Sequence, residues 1–136
     1  MKDKAFIDTN VLVYLYSEDE AEKQALAYDA IEKYDCITST QVLNEFSNVC
    51  IKKLGTPIEV ISKSIDEIVA ACLVTLVDEE VIKKALALHG KYGYSYYDCL
   101  VLASALSYNC KYLLTEDLRD KQVIEKNLKI TNIFSH

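Results

Sequence analysis

The sequence predicts an α/β protein: a mainly parallel central sheet of about five strands with helices on both faces. Two observations carry this. Short apolar, β-branched runs alternate with longer stretches of helical periodicity along the whole chain. Glycine (3) and proline (1) are scarce, which favours regular elements joined by short connections. A length of 136 residues and a hydrophobic content of 51% suit one domain, residues 1–136, with a real core. No internal repeat, linker or low-complexity tract interrupts it.

The elements follow in order. "KAFID", residues 4–8, reads as a short buried strand, and "TNVLVYLYS" after it as a helix that Thr9 or Asn10 can cap. Residues 19–34 mix Ala25, Leu26, Tyr28, Ala30 and Ile31 with Glu and Lys at helical spacing. "CITS" is a second strand. Ser39 or Thr40 then starts a helix, "TQVLNEFSNVCIKKL", that Gly55 stops. Pro57 opens the next helix, "IEVISKSIDEIVAA". "CLVTLV" is a third strand. "DEEVIKKALALHGKY" begins with three acids, favourable at the positive end of a helix. "SYYDCLVLASALSYN" is a helix with almost no polar face; "KYLLT" and "LKITNIF" complete the strands.

Composition limits the function. The net charge is −6 and the pI about 4.9, which argues against a protein that coats nucleic acid. An enzyme acting on a phosphodiester through bound cations is less constrained, because the cations bring their own positive charge. No apolar run reaches the length of a membrane span, and "MKDKAFID" lacks the features of a signal peptide. The five cysteines (Cys36, Cys50, Cys72, Cys99, Cys110) are far apart, each in an apolar segment, and read as small buried hydrophobes of a reducing cytoplasm. His89 and His136 have no partner at metal-ligand spacing, which argues against zinc.

Four acids stand in unusual places. Asp8 ends the first strand, between two apolar segments; cap and ligand weigh about equally there. Glu45 lies at the edge of the stripe formed by Val42, Phe46, Val49 and Cys50, where a long side chain reaching water is the ordinary reading. Asp98 is the third helical residue after Ser95, a capping-box position, but on a helix that looks buried on every side. Asp117 follows a strand in "LLTEDLRD", beside Glu116, where a solvated loop is the ordinary reading. Singly each is weak. In a doubly wound sheet all four can converge on one cleft at the carboxyl ends of the strands. Clustered carboxylates repel unless a cation neutralises them, and hard oxygen ligands suit Mg²⁺ or Mn²⁺.

"FIDTNVLVYL", "NEF", "YYDCLVLASAL" and "LLTEDL", in that order, together with the tail "KQVIEKNLKITNIF", resemble the PIN-domain ribonucleases, most closely the VapC-type toxins of toxin–antitoxin pairs. The resemblance spans nearly the whole chain. It implies a PIN-like α/β/α sandwich and a metal-dependent endoribonuclease. Asp8, Glu45, Asp98 and Asp117 would be its metal-binding and catalytic acids. Thr9, Asn10 and Thr115 would support them, with Glu116 as an extra ligand. It also implies a cognate antitoxin, a homodimer and a cytoplasmic protein. Lys121 and Ile133 depart from the family, where a small residue and a proline are common. RNA would meet aromatics at the cleft mouth (Tyr94, Tyr96, Tyr97) and cations at Lys52, Lys53, Lys91 or Arg119, although each has a commoner structural role.

Other readings fit less well. A haloacid-dehalogenase-like phosphatase needs a second Asp where Asn10 stands. A phosphoacceptor receiver needs adjacent acids near the first strand, and "KAFID" has one. A catalytically silent PIN-like module that only binds a protein or RNA partner agrees with the net charge, but retained acids favour an enzyme.

Overall fold

The computed structural model describes residues 1–135. Twelve elements are found among them. In chain order they are β1 (Lys4–Ile7), α1 (Thr9–Leu15), α2 (Ala21–Lys33), β2 (Asp35–Ser39), α3 (Thr40–Lys52), α4 (Ile58–Ala71), β3 (Leu73–Thr75), α5 (Glu79–Tyr92), α6 (Tyr96–Ser107), β4 (Tyr112–Leu114), β5 (Val123–Ile124) and β6 (Leu128–Thr131).

The six strands form one sheet in the order β3-β2-β1-β4-β6-β5. All neighbours are parallel except β5 and β6. Ala5, Phe6 and Ile7 of β1 are fully buried, as a central parallel strand requires. The chain winds from β1 outward to β3, then returns to β4 on the other side of β1. Right-handed crossovers then put α1–α4 on one face of the sheet and α5–α6 on the other. The packing agrees: α1 contacts α2 and α3, while α5 lies on α6. The reversal between β1 and β4 opens a crevice at their carboxyl ends, the place where open α/β sheets carry sites. Asp8 follows β1 and Thr115 follows β4.

The local chemistry explains most boundaries. Ser39 caps α3 by accepting from the Val42 N–H at 3.2 Å. Gly55, at φ +60°, ends the following turn. Asp78 caps α5, and Ser95 caps α6. All five cysteines are free and buried. No described helix is long and apolar enough to cross a membrane.

Three differences from the sequence reading stand out. The sheet has a sixth strand, β5, in a stretch without strand periodicity; two residues are too few to show one. Its turn into β6 holds Glu125 and Lys126 at positive φ (50° and 71°), the primed-turn geometry of a tight hairpin. Helix α1 is capped by Asp8 itself, not by Thr9 or Asn10: its carboxylate accepts from the Thr9 N–H at 2.8 Å. The third strand is shorter than the run "CLVTLV": β3 spans Leu73–Thr75, at a sheet edge that exposes Leu73.

Candidate active site

Asp8 leaves β1 with its side chain buried, only 5% exposed. One oxygen caps α1; the other accepts the Thr115 hydroxyl at 2.8 Å. Thr115 is fully buried just past β4, so this bond joins the ends of the two strands that flank the crevice. The same hydroxyl oxygen accepts from the Asp117 N–H at 3.2 Å and the Asn10 amide at 3.4 Å. Asn10 also donates to the Asp117 carboxylate at 2.9 Å and accepts from the Glu116 N–H at 3.2 Å. Thr9 donates to Glu45 at 2.9 Å, and Gln41, one turn before it on α3, donates at 3.2 Å. Thr9, Asn10 and Thr115, the expected supporting residues, therefore each hold an acid.

Asp98 stands half-buried in the first turn of α6, its N–H on the Ser95 hydroxyl. The rest of that helix is buried from Cys99 to Ala105. Electrostatics tie the four acids together. Burial pushes the Asp8 carboxyl up to about 6; bonds from Thr115 and Thr9 oppose this, and the charges of Glu45 and Asp117 add to it. Burial raises Asp98 as well, Ser95 opposes it, and Asp117 and Glu45 again push upward. Among the described residues no cation pairs with any of the four; the ion pairs are Lys23–Glu116, Lys91–Glu125 and Lys111–Asp3. Nor do three His, Cys, Asp or Glu side chains among them already close into a ligand cage.

A cleft of about 600 Å³ opens between α1 and α3, with Thr9, Asn10, Glu45 and Asp117 in its lining and Lys53 and Asn48 farther along. Asn10, Val13 and Tyr14 line it from α1, and Ser17 from just past its end. Their positions, i, i+3, i+4 and i+7, form one helical stripe, a signal present in the sequence. Gln41 was also readable, four residues before Glu45.

Other candidates lie elsewhere. The Glu116 side chain, expected as an extra ligand, faces Lys23 and Tyr14, each at 2.7 Å. Burial pushes its carboxyl up, but those two bonds and the Lys23 charge outweigh it, and the net direction is down. Its support to the site runs through its backbone N–H. Tyr94 hydrogen-bonds Gln122 and the Arg119 N–H, a structural role. Lys91 pairs with Glu125. Tyr96 and Tyr97 stack edge to face at 5.6 Å, with Tyr97 exposed. His89 bonds the Tyr94 carbonyl oxygen, and His136 lies outside the described residues.

Comparison with known proteins bears on the fold. A toxin–antitoxin complex from Klebsiella pneumoniae superposes with TM-score 0.73 at 18% identity, covering 97% of this chain and 99% of that one. VapC20 of Mycobacterium tuberculosis, a sarcin-ricin loop cleaving toxin, gives 0.65 at 18% identity, covering 80% and 86%. VapBC2 from Rickettsia felis, bound to a promoter DNA fragment, gives 0.68 at 15%, covering 95% and 99%. These likenesses show a shared fold. No curated protein matches in sequence. The family model described as PIN domain matches residues 5–126, and the chain belongs to the PIN domain family.

Proposed function

We propose that the protein is a metal-dependent endoribonuclease that hydrolyses RNA phosphodiester bonds, and the toxin of a toxin–antitoxin pair. The observation that carries this is a set of four mutually repelling acids, Asp8, Glu45, Asp98 and Asp117, with no cationic partner among the described residues. The donor set is all carboxylate oxygen, which fits a hard divalent cation, Mg²⁺ or Mn²⁺. When bound, such a cation acidifies water and offsets charge on a phosphodiester. The chain's own residues do the rest. Thr9 aims Glu45, Thr115 fixes Asp8, and Asn10 steers Asp117. Lys53, in the same cleft lining, supplies the positive charge a phosphate needs.

The structural neighbours support the partner assignment: one is a toxin–antitoxin complex, and another is VapBC2 bound to a promoter DNA fragment. By that likeness we infer a cognate antitoxin; the homodimer and the cytoplasmic location are inferred from the family resemblance of the sequence motifs alone. The silent-module alternative leaves the hydrogen-bonded aiming of Glu45 and Asp117 without a purpose.

Incubation with total RNA and Mn²⁺, followed by mapping of new ends, tests the proposal. Discrete cleavage is expected, abolished by EDTA and by Asp98→Asn. The amide keeps the shape at the start of α6 and loses the charge. Undiminished cleavage by the purified, folded variant would remove Asp98 from the site; no cleavage by the wild type would leave the binding module.

A further inference from the structure

Beside the cleft, both oxygens of Glu116 are held. Lys23 Nζ on α2 donates to Oε2 at 2.7 Å, and the Tyr14 hydroxyl on α1 donates to Oε1 at 2.7 Å. Lys23 also donates to the Tyr14 hydroxyl at 3.1 Å, which closes a triangle. The lysine lies 4.6 Å from the centre of the Tyr14 ring and 5.7 Å from that of Phe134. Tyr14 and Phe134 meet edge to face at 4.8 Å. Two helices therefore grip one loop residue, the one immediately before Asp117, and Phe134 of the C-terminal segment packs against the gripping side chains. The Glu116 N–H is in turn donated to Asn10, whose amide donates to Asp117.

We propose that Lys23 and Tyr14 are positioning residues that hold Asp117 at the cleft by clasping Glu116. What Asp117 is positioned for rests on the nuclease reading; the clasp itself does not. An exposed ion pair fixes little. This one differs in three respects. Its side chains are only 33% and 28% exposed. The carboxylate is gripped from two sides, and the three groups bond to one another, so each orders the others. Lys23 also keeps a fifth acid from adding its charge to four that already repel. A control is built into the fold: Lys91 and Tyr92 grip Glu125 at 2.6 and 2.8 Å in the same chemistry, at the β5–β6 turn, outside the cleft lining.

The test uses the purified chain with Lys23→Met, Lys23→Arg and Lys91→Met. Amide hydrogen exchange in EDTA reads the loop, and calorimetric titration with Mn²⁺ reads the acids. In Lys23→Met, the amides of residues 116–118 should exchange roughly three- to tenfold faster, while those of Phe6 and Ile7 stay protected. Mn²⁺ should bind about tenfold more weakly, as when an outer partner of a ligand is removed. Lys23→Arg should restore both, and Lys91→Met should change neither. Should Lys23→Met not fold, Glu116→Gln carries the same test, because it removes the charge and keeps the shape. Unchanged loop exchange, or an equal effect from Lys91→Met, would overturn the clasp. Faster loop exchange in a protein whose wild type ignores Mn²⁺ would uphold the clasp and sink the nuclease reading.

Discussion

At Asp8, cap and ligand are not alternatives. The same carboxylate ends a strand, starts a helix, takes a hydroxyl from the neighbouring strand end and faces other acids. Its charge is what costs energy. The carboxyl titrates near 6 in the fold against the ordinary 3.8. Below about pH 4 it is protonated folded or unfolded and costs nothing. Between about pH 4 and 6 the unfolded chain ionises this group while the folded state keeps it protonated, so stability falls as pH rises and levels off above 6. A gap of about 2 pH units corresponds to about 3 kcal/mol. In EDTA, wild-type protein should therefore lose stability between pH 4 and 7. Asp8→Asn should flatten that slope. One amide oxygen cannot serve both the Thr9 N–H and the Thr115 hydroxyl, which costs about 1 kcal/mol. The variant should still be about 2 kcal/mol more stable than wild type at pH 7.5 without metal, and it should lose the stabilisation that Mn²⁺ gives wild type. Chemical denaturation across pH, with EDTA and with Mn²⁺, measures all of this. An unchanged pH slope in the variant would refute the account. In the sequence the four acids stood out only as a set, through their order and the family resemblance, since Glu45, Asp98 and Asp117 each have an ordinary reading alone. The direction of Glu116 was not legible, because its partners lie 93 and 102 positions away in the chain.

Elements were legible in proportion to their length. Helices α3 and α5 announce themselves by periodicity and caps, and α6 by the absence of a polar face. The β5–β6 hairpin was invisible, since its strand of two residues and its turn, "EKN", lack the usual Asn-Gly or Asp-Gly signature. It is stapled instead by side chains from α5, Lys91 and Tyr92 on Glu125. Lys121, just before β5, departs from the family's small residue and sits at φ +71°. Its N–H bonds the Ile130 carbonyl oxygen at 2.8 Å, which locks that conformation in place. A left-handed lysine costs about 1–2 kcal/mol, and glycine recovers most of this while losing some unfolded-state entropy. Lys121→Gly should raise stability by about 0.5–1 kcal/mol, with nuclease activity unchanged. A melting temperature at or below that of wild type would show that the loop holds no such strain.

Over the whole molecule the difficulty is charge. A chain of net charge −6 concentrates unpaired acids at the crevice between β1 and β4, so a polyanion approaches it against the field unless cations gather there first. A cationic side chain from a protein meets the opposite situation. The cleft offers carboxylates at one end, Glu45 and Asp117, and an apolar wall of Val13, Val49 and Leu54. That combination fits a partner segment that packs apolar residues on the wall and reaches the acids with an Arg or Lys, the arginine being favoured for its two-pronged geometry. Such a residue and Mn²⁺ would want the same oxygens, so their binding must be antagonistic, and equally so in both directions. On the proposed toxin–antitoxin reading, a partner recovered by co-purification should bind about tenfold more weakly in millimolar Mn²⁺ than in EDTA. Replacing its inserted Arg by Ala should remove that dependence, and Glu45→Gln in this chain should weaken the complex in EDTA. Calorimetric titrations of the two proteins in both buffers decide the matter. An affinity indifferent to Mn²⁺ would mean that the partner docks away from the acids, and that its control of the site, if any, is exerted from elsewhere.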